Sequence, residues 1–108
     1  MPIYNKLVRD RIPEIITKQG KMFTTRILEN EEYLKELRTK LVEETNEYLE
    51  ADSKTESVEE LADIMELLHA LAEFHDVTIE KLEQIRAEKA EKRGSFKERI
   101  YLMEVEES

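Results

Sequence analysis

Residues 58–75 read VEELADIMELLHALAEFH, and the placement of charge on this stretch decides the fold. At about 100° per residue, Leu61, Ile64, Met65, Leu67, Leu68, Ala70, Leu71, Ala72 and Phe74 cover well over half of a helix circumference. A helix of that kind is expected to be largely buried. Glu59, Glu66 and Glu73 gather on the remaining polar side. Two carboxylates break the pattern. Glu60 projects between the directions of Leu67 and Leu71, and Asp63 between those of Ala70 and Phe74.

The preceding helical stretch, 31–51, repeats the anomaly. Leu34, Leu37, Leu41 and Tyr48 form an apolar stripe at heptad-like spacing, and its missing member is Glu44. Glu47 lies one turn on, at the edge of the stripe. Each helix therefore carries an acidic pair spaced i and i+3, a separation that stacks two carboxylates so that they reach one ion. Four carboxylates facing inward from neighbouring helices repel one another strongly. Burying them unpaired costs several kcal/mol each, comparable with the whole stability of a small domain. A divalent cation removes the conflict, and an all-oxygen ligand set selects a hard one, Mg²⁺ or Mn²⁺. Structural explanations compete for single residues. Ser57-Val58-Glu59-Glu60 fits a capping box, with Glu60 folding back on the helix start. Glu44 by itself fits a boundary residue covered by a lysine.

Outward from these two stretches the chain reads as mainly all-α, a helical bundle in a single domain spanning 1–108. A short first helix is expected over 8–19, with its start after Pro13 as one option and Gly20 as its stop. Asn30 is expected to cap 31–51, Ser57 to cap 58–75 and Thr78 to cap 79–93, with Gly94 ending the last. Residues 52–56 read as polar loop. The β-branched segment 23–28 and the partly alternating segment 98–105 suggest a small two-stranded element. Two Gly and two Pro leave few tight turns, which favours long helices.

Net charge is −9, from 26 acidic against 17 basic residues. Such a field disfavours nucleic acid and anionic membranes as partners. It also repels nucleotides unless divalent cations bridge them to the carboxylates. The chain has no Cys, so thiolate metal sites and disulfides are excluded. No apolar run approaches the roughly 20 residues of a membrane span. The opening residues lack the apolar core of a signal peptide, so a soluble cytoplasmic protein is expected. A chain of this length buries a modest core, and a partner subunit would add to it.

Glu43-Glu44-Thr45-Asn46-Glu47 reads as EExxE, and Glu60-Leu61-Ala62-Asp63, after twelve intervening residues, reads as ExxD. On consecutive helices this resembles the all-α nucleoside triphosphate pyrophosphohydrolases, a group that includes MazG-like proteins, phosphoribosyl-ATP pyrophosphohydrolase and dimeric dUTPases. The start, Tyr4-Asn5-Lys6-Leu7-Val8-Arg9-Asp10 with Ile12-Pro13, looks like the opening of a MazG-like, phosphoribosyl-ATP pyrophosphohydrolase-like branch. Lys89-Ala90-Glu91-Lys92-Arg93-Gly94-Ser95-Phe96 resembles the basic segment of that branch.

The resemblance implies that Glu44, Glu47, Glu60 and Asp63 hold magnesium, and that Glu43 or Glu44 helps activate water. It implies cleavage of a nucleotide between the α and β phosphorus, and assembly as a homodimer or dimer of dimers. Lys89, Lys92 and Arg93, with Lys6 and Arg9, become candidates for phosphate binding. Without the resemblance, the first three are cations suited to a helix C-terminus and the others belong to a surface segment. Phosphoryl transfer needs charge neutralisation and alignment more than covalent chemistry, which suits this residue set.

Glu66-Leu67-Leu68-His69 is a single ExxH on the polar side, whereas di-iron bundles use two such units. His69 and His75 read as surface or interface residues, and Tyr33, Tyr48 and Phe74 as core. Two rival functions stand beside the general pyrophosphohydrolase. One is a phosphoribosyl-ATP pyrophosphohydrolase of histidine synthesis. The other is a non-catalytic helical dimerisation module.

Overall fold

The computed structural model describes residues 2–107. It contains four helices: α1 (Ile12–Lys18), α2 (Asn30–Glu50), α3 (Lys54–Phe74) and α4 (Ile79–Arg93). No strand occurs among the described residues, so the chain is all-helical. The expected two-stranded element is absent for local reasons. An isolated strand pair is marginal in water. Residues 97 and 98 form a turn in which the Arg99 N–H donates to the Phe96 carbonyl at 3.2 Å, and Arg99 itself has φ of 57°. Arg26, in the other segment, is tied instead to Glu32 of α2 by two N–H bonds of 2.9 and 2.6 Å.

The helix boundaries correct the sequence reading in three places. Pro13 sits in the first turn of α1, which starts at Ile12, because proline lacks an N–H that the first turn does not use. Asn30 is the first residue of α2 and not its cap, and Glu29 precedes it without a side-chain cap. The largest change is at α3, which begins at Lys54. Its cap is Ser53, whose Oγ accepts from the Glu56 N–H at 3.1 Å. Glu56 in turn accepts from the Asp52 N–H at 3.2 Å. This reciprocal arrangement takes the capping role away from Ser57 and Glu60. Ser57 instead donates its hydroxyl to the Ser53 carbonyl within the first turn, at 2.8 Å.

Only residues 51–53 separate α2 from α3, so the two must fold back on each other as an antiparallel hairpin. Tyr33 near the start of α2 meets Phe74 at the end of α3, with ring centroids 6.1 Å apart. Leu37 on α2 and Leu67 and Ala72 on α3 are buried at this seam. Tyr33 and Phe74 are half-buried, as expected of core aromatics, while Tyr48 remains exposed. The link to α4 is residues 75–78. The Val77 N–H returns to the Ala72 carbonyl at 2.9 Å. Thr78 caps α4 by accepting from the Lys81 N–H at 3.0 Å, and Gly94 ends it with φ of 82°.

The expectation that α3 is largely buried is not met by this single chain. Leu61, Met65 and Leu68 are 48, 61 and 40% exposed. The radius of gyration is 18.7 Å, against about 13 Å for a compact domain of this length. Among the described residues, α2 and α4 leave these side chains of α3 partly uncovered. No helix of the described residues is long and apolar enough to cross a membrane.

Candidate metal centre

The antiparallel register explains how the two acidic pairs meet. Eleven residues on from Tyr33 is Glu44, and eleven back from Phe74 is Asp63. Eleven residues are about three full turns, so both steps return to the same seam. One oxygen each from Glu44, Glu60 and Asp63 lie within 4.8 Å of one another, and the same holds for Glu43, Glu44 and Glu47. Glu44 is common to both groups and joins α2 to α3 at this point. Five carboxylates therefore converge near the loop end of the hairpin.

Glu43, Glu44, Glu60 and Asp63 are half-buried and Glu47 is exposed. Glu44 and Glu60 each turn one oxygen, Oε2, into a place that is shielded from solvent and holds no hydrogen-bond partner. Unpartnered buried acceptors are costly and rare. Burial pushes the Glu44 carboxyl up to about 7, and the adjacent Glu47, Glu60 and Asp63 push it the same way. Its contacts with Glu47 and Glu60 become hydrogen bonds only when one partner carries a proton. Glu60 is also raised above the ordinary carboxylate range, by burial first and then by Glu47 and Asp63, while its contact with Glu44 works in the opposite direction.

Two cations touch the cluster, and neither reaches the shielded oxygens of Glu44 and Glu60. Lys40 approaches Glu43, with Nζ 3.9 Å from Oε2, so the lysine cover imagined for Glu44 falls on its neighbour. Arg9 donates from Nη2 to Asp63 Oδ1 at 2.7 Å. This contact escaped the sequence reading, which marked Arg9 only as a phosphate candidate. Nothing in local periodicity can report a pair 54 residues apart. The donor set fits a hard divalent ion, because the orphaned oxygens of Glu44 and Glu60 are acceptors with nothing to accept from.

The basic candidates are distributed differently. Lys89, Lys92 and Arg93 are exposed on the last turns of α4 and make no ion pair with the carboxylates among the described residues. Lys6 is exposed beside the Tyr4 ring, its Nζ 5.8 Å from the centroid. Glu66 and His69 are exposed, consistent with the dismissal of a di-iron unit. A shallow hollow of about 500 Å³ runs along α2 past Leu34, Lys35, Arg38 and Val42, and none of the five carboxylates lines it.

A family model described as phosphoribosyl-ATP pyrophosphohydrolase matches residues 4–92. The chain belongs to that family. Membership in the phosphoribosyl-ATP pyrophosphohydrolase family implies a pyrophosphohydrolase acting on a nucleotide. The matched span takes in the N-terminal segment with Lys6 and Arg9, both acidic pairs, and Lys89 and Lys92, and it stops one residue short of Arg93. No curated protein and no solved structure matches the chain.

Proposed function

We propose that the protein hydrolyses a nucleoside triphosphate, or a related nucleotide, between its α and β phosphorus, releasing a monophosphate and pyrophosphate. Mg²⁺, replaceable by Mn²⁺, is held by Glu44, Glu47, Glu60 and Asp63. The observation that carries this reading is the pair of shielded, unpartnered oxygens on Glu44 and Glu60 at the meeting point of two helices. A divalent ion in that position supplies charge neutralisation for phosphate oxygens and lowers the pKa of water.

The chain's own residues account for the rest. Glu43, at the outer edge of the cluster, accepts the proton of the attacking water, with Glu44 as the other carboxylate able to do so. Lys89, Lys92 and Arg93 offer donors to the phosphates and to the departing pyrophosphate, and Lys6 and Arg9 approach from the N-terminal segment. In one chain the α4 cations stand unpaired with the cluster, and α3 lies half uncovered. These two facts support assembly as a homodimer or dimer of dimers, in which a second copy covers α3. A cytoplasmic location, where nucleotide substrates reside, completes the reading.

The deciding experiment is pyrophosphate release across canonical and modified nucleoside triphosphates with Mg²⁺, with phosphoribosyl-ATP included. Turnover of triphosphates supports clearance of non-standard or excess nucleotides. Turnover of phosphoribosyl-ATP alone supports the histidine-synthesis enzyme, a second reading favoured by the description of the matching family. No release from any nucleotide, together with no thermal stabilisation by millimolar Mg²⁺, leaves a non-catalytic helical dimerisation module.

A further inference from the structure

Arg9 makes the only side-chain hydrogen bond among the described residues that joins positions more than six apart. It comes from the segment just before α1, where the Ile12 N–H donates back to the Arg9 carbonyl at 3.1 Å. Its partner, Asp63, belongs to the carboxylate cluster. The manner of the contact is informative. Arg26 grips Glu32, and Arg86 grips Glu83, each through two N–H bonds. Arg9 uses one N–H on one oxygen, so Oδ2 of Asp63 is left without a hydrogen bond. The Arg9 side chain is 57% exposed and that of Asp63 39%. A single exposed contact of this kind is weak and easily exchanged.

We propose that Arg9 is a stand-in cation, which neutralises Asp63 while the cluster is empty of metal and is displaced when a divalent ion binds. The proposal rests on the reading of Glu44, Glu47, Glu60 and Asp63 as metal ligands. A guanidinium on Asp63 relieves one charge of the cluster but reaches neither shielded oxygen of Glu44 and Glu60. A divalent ion engages several carboxylates at once and outcompetes it. Arg9 therefore acts through Asp63 as a positioning residue, and it lowers the cluster's affinity for metal while stabilising the metal-free chain.

The test is calorimetric titration with Mn²⁺ of the full chain, the Arg9→Ala variant and the Arg9→Lys variant, with thermal melting at zero and saturating Mn²⁺. Arg9→Ala is expected to bind Mn²⁺ about two- to fivefold tighter, the range that removing a weak exposed competitor allows. Arg9→Lys, which keeps the charge, stays near the parent. Arg9→Ala melts lower than the parent without metal, and the gap closes at saturation. Equal or weaker Mn²⁺ affinity in Arg9→Ala overturns the proposal while leaving the ligand assignment intact. So does a melting gap that persists at saturation, which marks a purely structural contact. Absence of Mn²⁺ binding in all three proteins overturns the ligand assignment, and the role of Arg9 with it.

Discussion

Replacing Glu44 by Gln removes one charge from the centre of the cluster and keeps the shape of the side chain. In the metal-free protein this is expected to stabilise the fold at alkaline pH. A carboxyl moved from 4.5 to about 7, chiefly by burial, corresponds to about 3 kcal/mol of preference for its neutral form at about 1.4 kcal/mol per pH unit. Partial solvation of the site reduces this to about 1–2 kcal/mol. The folded state holds the proton more tightly than the unfolded state. The stabilising contribution is therefore complete below pH 4.5 and is lost as pH rises through about 7. The assay is thermal melting with a chelator present, from pH 5.5 to 8.5, for the parent and Glu44→Gln. The difference between the two curves cancels the titrating groups that do not touch Glu44, and reports Glu44 together with its neighbours Glu47, Glu60 and Asp63. At pH 8.5 the variant is expected to melt roughly 5–10 °C higher, and the advantage shrinks towards pH 5.5. Saturating Mg²⁺ reverses the order, because the parent gains a ligand that the variant binds poorly. A variant that melts at or below the parent at pH 8.5, or a difference that does not change with pH, refutes the reasoning about burial and repulsion.

Asp63→Asn should reduce nucleotide turnover at least about 100-fold while circular dichroism still reports the helices, since a charge of the proposed metal site is lost and the seam is not. Leu37→Ala should lower unfolding free energy by about 2–5 kcal/mol in denaturant titration, because Leu37 is 2% exposed and holds α2 on α3. Ser53→Ala should cost about 1 kcal/mol in the same measurement, whereas Ser57→Ala changes little, since the α3 cap is Ser53. Met65→Glu, on the uncovered face of α3, should shift sedimentation velocity towards the monomer, and a parent that is itself monomeric would refute the proposed assembly.

The carboxylates were legible because a helix repeats its geometry. Once 31–51 and 58–75 were read as helical, Glu44 and Asp63 stood out as charges on apolar faces, and the structure brings them together. Glu60 was less secure, because a Ser three residues earlier offered it a capping role. The true cap at Ser53 became visible only when the start of α3 was placed at Lys54. The candidate strands were misread for a different reason. β-Branched composition at 23–28 says that a strand is locally acceptable, but a strand exists only if a partner offers its backbone.

The sequence by itself determined four helical segments, with their ends a few residues out, and set Glu44, Glu47, Glu60 and Asp63 on or beside apolar helix faces. These follow from period, capping and charge, all local properties of the chain. Only the tertiary structure decided that Glu44 belongs to both acidic groups, that Arg9 approaches Asp63 while Lys40 approaches Glu43, and that α3 is left half uncovered. Those facts depend on axial register and on contacts between distant segments. A helix wheel gives the direction of a side chain around its own axis, and it is silent on what stands opposite.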